Sequence, residues 1–521
     1  MEKIKLYISN YNLLKNEKTQ TVKFLCKFSD MLEKTYNRGI EILTCEKGED
    51  YHEKIRQSDL CVFLCNKKNV RQLTEEFLFA NEAYENDVNR KKIFTFFKRS
   101  VDDTSDECKD FKVLHHVAGY CYSVFENFDE IKFRLICAIK FGFMEYIEIE
   151  DRREKGCVDG HEFFNIEKLP ELKNNQAFNK RKEDLEKTKT EWQNLSALMK
   201  ERELTVEELK RHKDLIMKEK WYRNQVLRAH AQIFRASLNA MKYWIQGKAC
   251  YTLCKAYQEF FAGNLDGALE YVAYDEIIKE FKALKSTNVR NPAKVEQCTY
   301  KALASIDIDI IKNGQNKEGS AYKLFECVLL KALEYSECAE FVFRYMKFMS
   351  DVDENKKAVE AYEEFQEIHF WYDVDFTDEI KMKKAAAYAY RRIKRMTDAE
   401  ECFIRQLLKY KELIRESEEY VSNYALSFFD LGEYYFGVGK REKALEYYKA
   451  ALQLNGKLYN NNPEKYIPNL AYANYKVSII TEDKEYARRA YNLADQQPNS
   501  PTCAIVITML AINFDDIDDD E

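Results

Sequence analysis

Residues 60–84 read LCVFLCNKKNVRQLTEEFLFANEAY, and the hydrophobic period changes within them. The unbroken apolar run Leu60 to Cys65 has the length of a strand, and its apolar character on both faces predicts a sheet covered by helices on both sides. After a polar loop, the apolar residues follow a helical period. They are Leu73, Phe77, Ala80 and Tyr84. This stretch therefore predicts a buried strand followed by a helix that packs on the sheet.

The helical spacing separates two adjacent acids, Glu75 and Glu76. We expect Glu75 to face water and Glu76 to lie at the border of the buried face, near the carboxyl end of the preceding strand. Ligands bind at that end of open parallel sheets, where a carboxylate can stabilise a developing positive charge. Glutamate is also simply a good helix former, so spacing alone leaves a structural role open.

Strands and helices alternate through the first 144 residues, which predicts an α/β flavodoxin-like domain with a parallel sheet of order 2-1-3-4-5. Ser9, Asn10 and Tyr11 follow the first strand and are predicted to lie at the switch point of that sheet. They would there contact a nucleotide or serve only as a turn.

Several of these segments resemble the core of a TIR domain. The resemblance rests on Ser58-Asp59 before the buried strand, on Glu76-Phe77-x-x-Ala80 after it, and on Lys5-Leu-Tyr-Ile-Ser9 and Gly39-Ile-Glu-Ile-Leu43 as first and second strands. Many members carry an aromatic residue four positions before the glutamate, where this chain has Gln72.

The resemblance implies an enzyme that cleaves NAD at the nicotinamide–ribose bond, with Glu76 as the catalytic residue. NAD is then the substrate, and no cofactor or metal is expected. The predicted substrate contacts are Ser9, Asn10, Tyr11, Cys45 and Gln72.

Tetratricopeptide-like spacing marks the C-terminal part of the chain. The residues that carry it are Phe428, Leu431, Gly432, Tyr435, Ala444, Tyr448 and Ala451. Small residues at Gly432 and Ala444 allow two helices to approach closely. Weaker copies extend the pattern, so we expect an all-α repeat solenoid over residues 225–507. Such solenoids hold peptides or partner proteins on concave surfaces, and a protein or peptide trigger is the expected partner.

Three other segments complete the predicted domain order. Residues 145–178 are predicted as a hairpin attached to the first domain and a linker, residues 179–224 as a charged helical hairpin or coiled coil, and residues 508–521 as an acidic tail. Thr205 and Glu208 form a capping-box pattern that predicts a helix start. Lys210, Arg211 and Lys213 alternate with acids, which favours a solvated face over a binding surface.

Composition narrows the function classes. The 521 residues carry a formal net charge of −7 with acids and bases mixed, so no direct nucleic-acid partner is predicted. There is no apolar run of membrane length, and the 15 cysteines lack the regular spacing of a secreted scaffold. We therefore expect a cytoplasmic protein with reduced thiols and no membrane partner. His115 and His116 are expected to be a surface pair rather than a metal site.

Together these features predict a TIR-type NAD hydrolase or cyclase that is gated by a helical repeat sensor in antiviral or stress defence. The resemblance also implies assembly into a homo-oligomer on activation. One alternative is a non-enzymatic TIR adaptor that acts through its repeats. Another is an enzyme similar to the nucleoside deoxyribosyltransferases, whose related fold also uses a glutamate in this region.

Overall fold

The structure is a computed structural model. It describes residues 2–9, 14–45, 50–66, 70–85, 92–99, 106–118, 120, 122–152, 154–286, 291–369, 374–415 and 417–514. Asn10, Tyr11 and residues 515–521 of the predicted acidic tail lie outside these residues. The chain divides into two compact units. The first is Met1–Met144, Phe164–Lys279 and Tyr300–Leu324, and the second is Glu145–Phe163, Glu280–Thr299 and Phe325–Glu521.

A five-stranded parallel sheet forms the centre of the first unit, in the order β2-β1-β3-β4-β5. The predicted sheet and strand order are confirmed. The strands are β1 (Glu2–Ile8), β2 (Arg38–Thr44), β3 (Leu60–Cys65), β4 (Lys92–Lys98) and β5 (Tyr122–Phe125). All six residues of β3 are buried, as expected for a central strand with helices on both faces.

Five helices alternate with these strands. They are α1 (Lys15–Tyr36), α2 (Tyr51–Gln57), α3 (Val70–Glu85), α4 (Asp106–Val117) and α5 (Phe128–Phe143). The apolar stripe predicted for α3 is buried against the sheet, and Glu75 is exposed as expected. Because α3 follows β3 directly and runs back along it, its first two turns lie nearest the carboxyl ends of the strands.

A long helical hairpin follows the sheet domain in the first unit. Its arms are α7 (Gln176–Glu201) and α8 (Val206–Ile245), preceded by the short α6 (Pro170–Lys173). The predicted capping box is confirmed: Glu208 N donates to the Thr205 hydroxyl at 3.2 Å, and Thr205 N donates to the Glu208 carboxylate at 2.9 Å. Next come α9 (Tyr251–Phe261), α10 (Leu265–Tyr271), α11 (Tyr274–Ser286), α12 (Pro292–Asn313) and α13 (Ser320–Ala332).

Paired helices make up most of the second unit. They are α14 (Ala339–Asp351), α15 (Asn355–Ile368), α16 (Phe376–Arg392), α17 (Met396–Leu413), α18 (Val421–Gly437), α19 (Arg441–Asn461), α20 (Pro463–Thr481), α21 (Lys484–Asp495) and α22 (Pro501–Asn513). A Cβ atom added to Gly432 in α18 would lie 2.5 Å from the ring of Tyr448 in α19. This contact confirms that the glycine allows the two helices to approach closely.

A small three-stranded element follows α5, in strand order β6-β7-β8, and all of it except Phe164 and Asn165 belongs to the second unit. Its strands are β6 (Ile149–Arg152), β7 (Lys155–Val158) and β8 (His161–Asn165). Buried Asp159 pairs with Lys465 of α20 at 2.6 Å, and Gly160 lies so close to Glu464 that a Cβ atom would be 2.5 Å from its carbonyl oxygen. The predicted hairpin is present, and Asp159 and Gly160 at its turn fit against the start of α20.

Within the described ranges, no helix is both long and apolar enough to cross a membrane. Thirteen cysteines among the described residues are free thiols.

Candidate functional site

Glu76 lies inside the sheet domain rather than at its border. Its side chain is only 3% exposed, and the Tyr7 hydroxyl of β1 donates a 3.1 Å hydrogen bond to its Oε2. A buried carboxylate needs such a donor, because losing water destabilises the charged form. The helical spacing predicted the correct element and side, but it underestimated the burial.

Strand alternation explains how Tyr7 reaches Glu76. Successive side chains of β1 point to opposite faces, so Tyr7 shares the α3 face of the sheet with Cys61 and Phe63 of the neighbouring strand. The ring of Tyr7 meets that of Phe63 edge-on at 6.5 Å, and Phe63 in turn contacts Phe77 of α3 at 6.4 Å. These contacts fix the tyrosine ring and aim its hydroxyl at the helix.

The Tyr7 hydroxyl acts as a donor at all ordinary pH values. Burial raises the pKa of Tyr7 far above its usual value, and the negative charge of Glu76 raises that pKa further. The proton therefore stays on Tyr7 and is available to the carboxylate. A hydrogen bond of this kind stabilises negative charge on Glu76.

Ser9 lies close to the carboxyl end of β1 on the same face as Tyr7, two residues further along the chain. Its amide donates to the Val62 carbonyl at 3.1 Å, which fixes the backbone there. The side chain is 4% exposed, and its hydroxyl has no hydrogen-bond partner among the residues that the structure describes. A buried hydroxyl without a partner loses free energy unless another molecule satisfies it. Ser9 is thus suited to contact a polar ligand.

The other predicted contacts differ in their surroundings. Cys45 follows β2, is 6% exposed and belongs to the same core cluster as Tyr7. Gln72 is exposed at the surface of α3, one turn before Glu76. The structure therefore brings Cys45 and Glu76 around Tyr7, places Ser9 at the carboxyl end of β1 and leaves Gln72 at the surface.

Two further residues flank this cluster and were not identified from the sequence. Tyr51 begins α2, and its pKa is raised first by burial and then by the nearby charges of Glu76 and Glu75. Lys18 lies in α1 within electrostatic range of Cys45, and burial lowers the pKa of its ammonium group. The sequence could have indicated both residues, because they lie near the starts of the helices that follow β1 and β2. The starts of these helices meet the carboxyl edge of the sheet.

His115 corrects one prediction. Its side chain is fully buried, its Nδ1 donates to the Phe111 carbonyl at 2.7 Å, and its Nε2 lies 2.6 Å from the Thr95 hydroxyl. The ring stacks on Phe77 at 4.0 Å. The expectation of a surface histidine pair was wrong because α4 turns His115 toward the core beside Phe111. Among the described residues, no group of histidine, cysteine and acidic side chains could hold a metal ion.

Comparisons with known proteins leave the family open. No family model matches the chain, and no curated protein matches its sequence. One solved structure found by shape is that of a Signal Transduction ATPase with Numerous Domains (STAND) protein with a tetratricopeptide repeat sensor from Pyrococcus horikoshii. The two chains are 12% identical with a TM-score of 0.37, over 98% of this chain and 90% of that one. A likeness at that level supports no conclusion about fold or function.

Proposed function

We propose that the sheet domain is a TIR-type NAD glycohydrolase whose catalytic residue is Glu76. One observation carries the proposal: a buried carboxylate lies near the carboxyl edge of a 2-1-3-4-5 parallel sheet and accepts a hydrogen bond from a tyrosine that stays protonated. Sheets of this order bind nucleotides at that edge. The TIR-like sequence around Glu76 supports the choice of NAD among nucleotides.

The proposed reaction needs little acid catalysis. The bond between ribose and nicotinamide breaks, and its electron pair passes to the ring nitrogen, which was cationic and leaves as neutral nicotinamide. The ribose carbon becomes positive in the transition state, where the Glu76 carboxylate stabilises it at close range. Water then adds to that carbon and releases a proton, which gives ADP-ribose. In a cyclase, an adenine nitrogen of the same molecule would replace the water.

The neighbouring side chains have complementary roles in this proposal. Tyr7 is a positioning residue that holds Glu76 ionised and correctly oriented. The unpartnered hydroxyl of Ser9 would accept or donate a hydrogen bond to the sugar. Lys18 of α1 provides a cation near Cys45, close to the carboxyl edge of the sheet, suited to the diphosphate. Cys45 would contribute to the apolar wall of the site.

The helical repeats would act as the sensor in this proposal. Their paired helices form a scaffold without chemistry of its own, so a protein or peptide trigger is the proposed ligand. Binding of that trigger would promote assembly of several copies and activate the sheet domain, as in a defence response that depletes NAD. Low activity of the isolated chain follows from this proposal.

The adjacent pair Glu76 and Glu75 supplies the decisive experiment. The full chain at high concentration is incubated with NAD, and released nicotinamide is quantified. We expect Glu76→Gln to lower the rate about a thousandfold, the order found when one group that stabilises transition-state charge is removed. Glu75→Gln makes the same replacement of a carboxylate by an amide at an exposed position, and it should leave the rate within about twofold. Equal loss in both variants would contradict the assigned geometry.

A non-enzymatic adaptor is the second candidate, because hydrogen bonds from tyrosine to glutamate also occur where they are structural. Tyr345 donates to Glu326 at 2.7 Å and Tyr435 donates to Glu400 at 2.6 Å, both within the second unit. If the parent chain releases no nicotinamide at any concentration, while Glu76→Gln lowers its thermal stability, the Tyr7–Glu76 pair is structural and the adaptor is favoured.

A further inference from the structure

Most side chains in the outer part of the α7–α8 hairpin are not buried. From Glu191 to Arg228, only Leu215 is buried among the residues of the two helices and their connection. Charged and polar contacts join the two arms on the same side as Leu215: Arg211 pairs with Glu191 at 3.1 Å, and Ser196 bonds to His212 at 2.9 Å. The α7 helix therefore lies against one face of α8, and the opposite face points away from it.

That opposite face is apolar and solvent-exposed. We call it the outer face of α8 and define its apolar members as Val206, Leu209, Ile216, Met217, Trp221 and Leu227. They are 40–84% exposed. At about 100° per residue they lie within roughly 80° on either side of one line along the helix, while Leu215 lies on the far side. Scattered apolar residues need no explanation, but six on one helix face form a continuous surface.

The charges on the outer face are all positive. Lys213, Lys220 and Arg228 are exposed between the apolar side chains and form no ion pair with any residue that the structure describes. The acids of this stretch are directed elsewhere. Glu208 pairs with Arg202 and Glu219 with Arg223, while Glu207 and Asp214 line the groove that also contains Glu191.

We infer that the outer face of α8 binds an anionic lipid surface. Lysine and arginine around a strip of leucine, isoleucine, methionine and tryptophan are the chemistry of helices that lie in the plane of a membrane interface. The long lysine chains can extend to lipid phosphates while the apolar side chains enter the headgroup boundary. This is a peripheral contact, consistent with the absence of a membrane-spanning helix in the described ranges.

Shape and charge disfavour the other occupants. The outer face is the convex side of a single helix, which fits a flat surface, whereas a partner helix would fit the groove between α7 and α8. A second copy of the same face would bring like charges together. Nucleic acids would use the cations and Trp221, but they offer nothing to the five exposed aliphatic and thioether side chains.

Because acids and bases alternate along this stretch of the sequence, a solvated face was expected, and the lack of a long apolar run predicted no membrane partner. On the helix surface they separate, since acids at Glu207, Glu208, Asp214 and Glu219 lie outside the arc that contains the lysines. The charges therefore alternate along the sequence but are separated around the surface of α8.

Vesicle flotation of the full chain tests the inference. We expect binding to phosphatidylserine–phosphatidylcholine vesicles that weakens as salt increases, and no binding to pure phosphatidylcholine. The triple variant Lys213→Glu, Lys220→Glu, Arg228→Glu should bind at least about tenfold more weakly. The matched control is Lys187→Glu, Lys200→Glu, Lys218→Glu, which makes the same charge change at exposed lysines away from the outer face and should retain at least half of the binding.

A second variant separates lipid insertion from charge attraction alone. Trp221→Ser keeps every charge and should also lower vesicle binding several-fold, while circular dichroism confirms that it remains helical. The inference is overturned if both triple variants lose binding equally, if neutral vesicles bind as well as anionic ones, or if no vesicle binds. It is likewise overturned if single-stranded DNA or an acidic peptide binds the parent chain and vesicles do not.

Discussion

Hydrogen bonds from tyrosine to glutamate occur in both units, but the glutamate carboxylates differ in how exposed they are. In the repeats, Tyr448 donates to Glu433 at 2.9 Å, and Lys476 lies 2.7 Å from the same carboxylate, which is 31% exposed. In the sheet domain, Tyr7 donates to Glu76, which is 3% exposed. Water and a cation stabilise the first carboxylate, whereas the second is buried in the sheet domain. A tyrosine-to-glutamate hydrogen bond by itself does not indicate function. The feature that makes Glu76 a functional candidate is its burial near the carboxyl edge of the sheet, where ligands bind.

Two glutamates that cap helices also differ in burial. Glu130 in α5 and Glu208 in α8 each close a capping box with backbone amides. Burial raises the pKa of Glu130 to about 7, whereas the hydrogen bond from Arg202 lowers the pKa of exposed Glu208 to about 2. The same local hydrogen bonds thus coexist with pKa shifts of opposite direction, because the surroundings of each carboxylate differ.

Removing each tyrosine hydroxyl should give the largest difference between the two units. Tyr7→Phe leaves buried Glu76 without that donor, and we expect a loss of about 3 kcal/mol in the free energy of unfolding. Tyr448→Phe should cost about 1 kcal/mol or less, because Glu433 keeps Lys476 and the Tyr472 hydroxyl. Urea denaturation of both variants measures the difference. Equal losses would mean that the burial of Glu76 has no special energetic consequence.

The rate of nicotinamide release, measured as a function of pH, gives a second comparison of Tyr7→Phe and Tyr448→Phe. If Tyr7 keeps Glu76 ionised, the acidic limb of the pH–rate profile should move to higher pH in Tyr7→Phe, and raising the pH should restore part of the rate. Tyr448→Phe should leave the profile unchanged. A loss of rate that is independent of pH would assign Tyr7 a purely steric role.

The sequence predicted local features well and surroundings poorly. The apolar run of β3 and the stripe of α3 were sufficient to predict the strand, the helix and the exposed position of Glu75. The capping pattern at Thr205 likewise predicted a helix start. Burial of Glu76 could not be predicted, because it depends on Tyr7, which lies 69 residues away in the chain. For the same reason His115 and the docking of Gly160 on α20 were missed.

The two capping glutamates should differ in how they make stability depend on pH. The pKa of Glu130 is higher in the folded chain than in the unfolded chain, so Glu130 should make stability fall as pH rises from about 4.5 to about 7. Glu130→Gln should remove that fall and gain on the order of 2 kcal/mol at pH 8, after allowance for partial solvation. Melting temperatures measured between pH 4.5 and pH 8 check this.

The opposite sign is expected at Glu208. Its lowered pKa contributes stability above the pKa of an unfolded glutamate, and the contribution disappears as pH falls toward about 2. Glu208→Gln should therefore destabilise α8 at pH 7 and match the parent chain near pH 2. Two variants with the same direction of pH dependence would show that burial does not separate these caps.

The smallest expected effect concerns the edge of the site. Lys18→Met preserves the buried length of the side chain and removes its charge, so NAD should bind about three- to tenfold more weakly while kcat stays nearly constant. Lys23→Met changes an exposed lysine of the same helix and should alter neither quantity. Calorimetric titration of NAD, combined with the rate of nicotinamide release, distinguishes the two. If Lys18→Met lowered kcat without weakening binding, Lys18 would act on the reacting ribose instead, and the diphosphate would need another cation.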